Sequence, residues 1–238
     1  MLGGMTVEET SKKSMEQLAY EKLKDAILRR MLAPGTQLVE STVSEKLNSS
    51  RTPIRNAIKR LASEGLINLI PNRGAFVIQP SKDEILQAFD IRAELESSAL
   101  KLAFDKITGK DIEELRSIAG KEASAVREND HKGYHVMNKA FHMFFARKSG
   151  NIFLIEFTEK IIDRINVYLQ LYDEFYNVKL AEFEGISDHT EIISLLQKKD
   201  KSSIDKLLRS HIAKSLSSLQ IEKIVYKSID DVFAPGAF

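Results

Sequence analysis

Three histidines and an asparagine are the residues of this chain best suited to hold an ion. Asn138 and His142 are four residues apart in a segment of helical periodicity, about 40° from one another around the helix axis, so their side chains can meet one ligand. His189 and His211 lie further on, in Ser187-Asp188-His189-Thr190-Glu191-Ile192 and Arg209-Ser210-His211-Ile212, each beside apolar positions. Three imidazoles converging inside a helical bundle would bind a divalent metal, and an amide oxygen can serve as a fourth donor. A single histidine on an apolar face is more often a hydrogen-bonded core residue, and spacing alone leaves both readings open. A metal-dependent hydrolase would need more than this ligand set. The chain offers no well-placed general base, no nucleophile motif and no glycine-rich phosphate loop, and Glu191, two residues from His189, faces elsewhere on a helix. No enzymatic activity is expected.

A second constellation is basic and lies near the N-terminus. Ser50 stands before a segment, about 51–64, in which Ile54, Ala57, Ile58 and Leu61 follow the spacing of a buried helical face and Arg51, Arg55 and Lys59 that of the opposite one. Pro53 falls in the first turn, where a missing N–H is harmless, and Gly65 suits the C′ position. Guanidinium groups at a helix N-terminus pair bidentately with guanine or phosphate. A shorter helix precedes it, about 41–47, capped by Glu40 or Ser41 and packed through Val43 and Leu47. The turn between them is Asn48-Ser49-Ser50, and Asn tolerates the left-handed conformation such turns require. Leu66–Ile70 and Ala75–Ile78 then read as two strands joined by the basic loop Pro71-Asn72-Arg73-Gly74. Arg73 and the Gly74 backbone would approach phosphate or the minor groove. Helix, turn, capped basic helix and hairpin in this order predict a winged helix-turn-helix that enters the major groove of DNA.

The elements that carry these residues divide the chain. Its 238 residues allow two compact domains. Net charge is only +1, yet residues 11–80 hold 12 Lys/Arg against 6 Asp/Glu, so the basic excess lies with the DNA motif. There is no cysteine, hence no disulfide and no thiolate metal site. No signal-like N-terminus and no apolar run of membrane-spanning length is visible, and the expected location is cytoplasmic. Residues 1–14 read as a loose polar tail. Beyond Pro80 strand signals vanish and amphipathic stretches cover about 82–105, 110–128, 131–148, 152–176, 178–199 and 201–224, with Asp111 or Lys110 opening the second and Asn151 the fourth. The expected fold is mainly α: a winged helix-turn-helix domain over 15–80, with a hinge at Pro80-Ser81, and a C-terminal all-α six-helix bundle over 81–222. Residues 223–238 form a C-terminal extension. Tyr168, Tyr172, Phe175 and Tyr176 read as interhelical packing.

The N-terminal motifs resemble a known family. Ala33-Pro34-Gly35, Leu38-Val39-Glu40, Ser50-Arg51-Thr52-Pro53-Ile54-Arg55, Leu61-Ala62-Ser63-Glu64-Gly65-Leu66-Ile67 and Arg73-Gly74-Ala75-Phe76-Val77 look like the DNA-binding domain of GntR-family transcriptional regulators over about residues 15–80. The resemblance implies Arg51 and Arg55 as groove and phosphate contacts and Gly74 as the wing tip. It extends to a DNA-facing set of Ser41, Ser50, Arg51, Thr52, Arg55, Lys59, Arg73 and Gly74. Members often carry Arg where Ser41 stands, and Gly where Asn48 stands. Phe141-His142, Ser149-Gly150-Asn151, Asp188-His189 and Arg209-Ser210-His211 are similar to the FCD effector domain of the FadR subgroup, over about 82–222. In its metal-binding branch an Asp four residues before the first His, with three histidines, binds zinc or a similar ion, and the ion helps hold a carboxylate effector.

Carried over by position, the ligands are Asn138, His142, His189 and His211, with Asn in place of the expected Asp. The implied metal is zinc, with nickel or manganese as alternatives. Arg92 resembles a first-helix arginine that reaches the effector pocket, and it is equally placed to pair with Glu96 at i+4. Arg164 is a second candidate pocket cation. The implied protein is a homodimeric regulator, a repressor by family habit, of double-stranded operator DNA. It answers to a small carboxylate. A metal-free pocket for a larger apolar acid is the alternative.

Overall fold

The structure, a computed structural model, describes residues 14–29, 31–172 and 185–219, with the side chains of 185 and 186 excepted. The described chain forms two compact units that divide between Gln79 and Pro80.

In the first unit, α1 (Met15–Leu28) packs on α3 (Arg51–Ser63), and α2 (Glu40–Lys46) packs against α3 from another side. Leu23 and Ile27 of α1 and Ile54, Ala57, Ile58 and Leu61 of α3 are fully or almost fully buried, so the i, i+3, i+4, i+7 stripe is the core face. A rim contact fixes the pair further: Tyr20 donates its hydroxyl to Glu64 at 2.7 Å, Lys24 reaches the same carboxylate at 2.6 Å, and the Arg60 guanidinium lies 3.6 Å from the centre of the Tyr20 ring. Ser50 is the N-cap of α3 and has extended backbone angles, but its side chain makes no capping bond. An N-cap oxygen serves the N2 or N3 amide, and N3 here is Pro53, which has none.

Helix α2 starts one residue earlier than the sequence suggests. Its N-cap is Val39, again without a side-chain bond, and Glu40 is its first residue, which leaves the Glu40 carboxylate free for another partner. Of its expected packing residues, Val43 is buried and Leu47 half-buried. Asn48 (φ 46°) and Gly65 (φ 77°) carry the left-handed turns after α2 and α3. The wing is β2 (Ile67–Ile70) and β3 (Gly74–Val77), with Ile70 opposite Gly74. A third strand, β1 (Gln37–Leu38), pairs antiparallel to β3 on its other edge and buries Leu38. Two residues are too short to show alternation, so it has no sequence signature.

The second unit is helical among its described residues: α4 (Lys82–Ala103), α5 (Gly109–Arg127), α6 (His131–Ser149), α7 (Ile152–Tyr172), α8 (Gly185–Gln197) and α9 (Lys201–Ser217). Each boundary has a local cause. Ser81 caps α4, accepting from the Glu84 amide at 3.0 Å. Thr108 and Asp111 form a capping box, so α5 opens at Gly109 under Thr108 rather than at Lys110 or Asp111, with Asp111 as its N3 residue. Asp130, Asn151 and Asp200 accept from amides at the starts of α6, α7 and α9. Asn129, Gly150 and Lys199, all at positive φ, end the preceding helices. Helix α4 tightens into a 3₁₀ turn at Phe104–Lys106, and α9 stops at Ser217, short of 224. Phe175, Tyr176 and the Asn177 break lie outside the described residues, as do the tail 1–13 and the extension from 220 on. Tyr168 and Tyr172 are buried as expected.

Helix α6 is central. It packs against α4, α5 and α7 and carries Phe141, His142, Met143 and Phe145 with no exposed surface. Gly150 ends it at φ 73° in the left-handed region, and a Cβ there would meet only Lys106 Nζ, at an ordinary contact distance of 3.8 Å. Gly150→Ala is therefore expected to lower unfolding stability by about 1 kcal/mol through backbone strain alone, read from the urea midpoint at unchanged m-value.

Candidate DNA interface and metal centre

On the first unit, α3 turns Arg51, Thr52, Arg55 and Lys59 outward, all exposed, while its apolar stripe faces inward. Ser50 is exposed and Ser41 half-buried. Arg55 is already engaged: its Nε and Nη2 donate to the Glu40 carboxylate at 2.8 to 3.1 Å. Those bonds hold Glu40 below the usual carboxylate range. At the wing tip Arg73 is exposed, with its guanidinium 5.7 Å from the Phe76 ring centre. Gly74 follows at φ 100°, a conformation that favours glycine. Gln37 donates to the Arg73 carbonyl at 2.8 Å and ties the wing back to β1. Sequence reasoning missed the roles of Glu40 and Gln37, both of which depend on pairing across the fold.

In the second unit the three histidines meet. His142 on α6, His189 on α8 and His211 on α9 are buried, with ring centres 4.8 to 5.2 Å apart, and one nitrogen of each lies within 4.8 Å of the others. Each ring is held from behind by a carboxylate. His142 Nδ1 is 2.7 Å from Glu96, His189 Nδ1 is 2.7 Å from Glu122, and His211 Nδ1 is 3.2 Å from Asp188. A carboxylate can only accept, so Nδ1 carries the proton and Nε2 a lone pair. The Nε2 atoms of His142 and His189 are buried and have no partner. Two orphaned lone pairs facing one small volume fit a cation, and carboxylate-backed imidazoles are the usual arrangement behind a metal. Phe141 stacks on His189 with ring centres 3.9 Å apart and closes that side to water.

Asn138 has its amide nitrogen engaged with α5. Its Nδ2 donates to Glu122 at 3.1 Å and approaches the Tyr134 hydroxyl at 3.5 Å. Arg92, buried, donates Nε to Glu96 at 2.6 Å, while its terminal nitrogens bond no described residue. The i+4 pairing of Arg92 with Glu96 is thus present. Arg164 is exposed, bonded to no described residue and near Tyr168, not the histidines. The supporting carboxylates Glu96, Glu122 and Asp188 went unrecognised as a set. Glu96 appeared in the sequence only as an i+4 partner, and Glu122 not at all.

Burial pushes His142 down to about 4, against the opposing pull of Glu96. His211 is also held low, by burial and then by its neighbouring histidines. Burial alone would raise Glu96, but His142 and Arg92 outweigh it and hold the carboxyl well below its ordinary range. His142 and His211 are therefore neutral at pH 7, the state that a metal requires.

Comparison with known proteins agrees with both halves. Residues 16–77 match the family described as bacterial regulatory proteins, gntR family, and residues 87–214, more than half of the chain, match the FCD domain. The HTH-type transcriptional repressor RspR of Escherichia coli K12 is 27% identical over 221 residues, covering 91% of this chain and 94% of that protein. The HTH-type transcriptional regulator McbR of the same organism is 27% identical over 189 residues, covering 79% and 85%. The solved structure of E. coli McbR/YncC superposes with a TM-score of 0.61 at 25% identity, covering 87% of this chain and 97% of that one. The chain belongs to the GntR family, with an FCD domain following the winged helix-turn-helix. It is a DNA-binding transcriptional regulator and not an enzyme. Among the described residues no helix is long and apolar enough to cross a membrane.

An unfolded histidine takes up its proton near 6.5, whereas folded His142 resists protonation down to about 4. Between these values the unfolded chain binds the extra proton, so stability falls as pH falls through that window. Each such histidine contributes roughly 1 kcal/mol per pH unit. Urea unfolding of the chelator-treated protein at pH 7.5, 6 and 5 is expected to show a declining midpoint, and the His142→Gln variant a shallower decline.

Proposed function

We propose that this chain is an operator-binding repressor whose DNA affinity is set by a small carboxylate bound in the FCD unit beside a divalent metal ion. Residues 15–80 are its DNA-binding domain and 81–222 its effector domain. The observation that carries the effector half is the pair of buried, unpartnered Nε2 atoms on His142 and His189, with His211 completing a set whose donor atoms lie within 4.8 Å. Zinc suits three imidazoles with a position left open, and nickel and manganese accept the same ligands. A bound ion supplies a Lewis-acidic seat for a carboxylate oxygen. Arg92, whose terminal nitrogens bond no described residue, could pair with the acid's charge. Arg164 is a weaker choice because it is exposed.

The reading of a repressor follows RspR, which carries that description, and the FCD match is compatible with the FadR subgroup. A homodimer would set two α3 helices on the half-sites of a palindrome. Exposed apolar side chains on α4 (Leu86, Ile91) and α7 (Ile152, Phe153, Phe157) supply a surface of the kind a dimer covers. Effector and DNA affinity are then linked: the acid loosens the operator only if it binds the free form more tightly than the DNA-bound one.

Elemental analysis of untagged protein, purified without chelator, is expected to find about one divalent ion per chain. His142→Ala should lose it, together with the carboxylate response of operator binding measured by fluorescence anisotropy. Full response in a metal-free His142→Ala protein would instead favour a metal-free pocket for a larger apolar acid. On the DNA side, Arg51→Ala and Arg55→Ala should each weaken binding to a duplex selected from a random pool by about 10-fold or more. Arg164→Ala should leave it unchanged. Equal affinity of wild type and Arg51→Ala would remove α3 as the recognition helix.

A further inference from the structure

Asn138 has its amide nitrogen committed to a carboxylate. Its amide donates to one oxygen of Glu122 at 3.1 Å, and the other oxygen of that carboxylate takes the Nδ1 proton of His189 at 2.7 Å. Glu122 has no exposed surface, and among the described residues it meets no cationic side chain. The other two carboxylates behind the histidines are different: Glu96 has Arg92, and Asp188 has Lys214 at 3.1 Å. Glu122 is therefore held only by the N–H groups of an amide and an imidazole.

We infer that Asn138 is a positioning residue and not a metal ligand: it fixes Glu122, and through Glu122 the orientation of His189, so that three histidines alone hold the ion. This rests on the metal reading above. The direction of the amide is dictated chemically. Reversed, it would set its carbonyl oxygen against a carboxylate at hydrogen-bond distance, and an Asp in its place would set two carboxylates there. Asn138 and Glu122 are thus a matched donor and acceptor, joining α6 to α5, and Glu122 passes the constraint to α8. The negative charge that an Asp ligand would bring directly is supplied instead from behind His189, where a carboxylate raises the basicity of the coordinating nitrogen. Three neutral ligands leave the ion its full positive charge and at least one open position for an anion's oxygen.

Cobalt(II) tests this, because its visible absorption reports ligand number and geometry. Chelator-stripped, full-length wild type, Asn138→Ala, Glu122→Gln and the double variant are titrated with cobalt chloride, with folding checked by circular dichroism. Asn138→Ala should reach the wild-type saturated spectrum with an affinity about 10- to 100-fold weaker. Glu122→Gln should weaken binding similarly, and the double variant should match Glu122→Gln within about twofold. Asn138→Ser, which keeps a smaller donor, should fall between Asn138→Ala and wild type and replaces Asn138→Ala if that variant does not fold. A saturated Asn138→Ala spectrum with altered band positions or intensity, or losses that multiply in the double variant, would make Asn138 a ligand and overturn the inference. Failure of the wild type itself to take up cobalt would overturn the metal reading instead, a result separable from the first because it does not involve Asn138.

Discussion

Three imidazoles can share one small, dry volume only if none of them carries a second proton. In this chain burial holds His142 and His211 low, and three carboxylates, Glu96, Glu122 and Asp188, fix which nitrogen keeps the one proton, each accepting from the Nδ1 of one histidine. The consequences reach well beyond the rings. Fixing every Nδ1 as donor leaves lone pairs on the inner side, and two of these are buried without a partner. Such atoms forgo about 1–3 kcal/mol each when nothing answers them. No side chain among the described residues answers them. The carboxylates come from α4, α5 and α8 and the histidines from α6, α8 and α9, so five of the six helices are located by this one cluster.

The apolar surroundings give the cluster its strength. Phe141 has no exposed surface and lies flat on His189, and buried Phe145 packs edge-on against Phe141. Excluding water strengthens every charge interaction within and makes any unmatched one more costly. The same burial that lowers His142 and His211 keeps them neutral and able to coordinate. It also makes the Arg92–Glu96 pair a fixed part of the interior, since separating two buried charges leaves both uncompensated.

Much of this was legible from the sequence, for reasons that are local. The α3 stripe of Ile54, Ala57, Ile58 and Leu61 announces a buried face by spacing alone, and Asn48 and Gly65 announce turns by their tolerance of positive φ. The three histidines could be proposed together because each falls beside apolar positions on a separate helix. What could not be read is pairing across the fold. Strand β1 exists only because β3 offers an edge to Gln37 and Leu38. Glu122 looks like one more surface acid of an amphipathic helix until α6 and α8 close over it. Ser50 has the right residue type for a cap, but one of the two amides it could serve is replaced by a proline and its side chain makes no capping bond. The α2 start was misplaced for a related reason: Glu40 lies inside the helix and spends its carboxylate on Arg55, fifteen residues on.

The two arginines most exposed to functional argument, Arg55 and Arg92, are both held by a glutamate, and burial gives these pairings opposite meanings. Arg55 and Glu40 meet at the surface, where water and salt compete and an ion pair is easily exchanged for a phosphate. Glu40 there orients the guanidinium without holding it back, and the negative charge it adds disfavours nonspecific approach of a polyanion. Arg92 and Glu96 are sealed inside, and Glu96 is also the partner of His142. An anion meeting the free edge of Arg92 would draw charge from that guanidinium, and so alter the hold of Glu96 on a histidine of the cluster. The surface pair can be exchanged at no expense to the fold, whereas the buried pair ties whatever touches Arg92 to the geometry of His142. That difference, set by solvent and not by residue type, is what would let the helical unit rather than the DNA-binding unit register the small acid we propose.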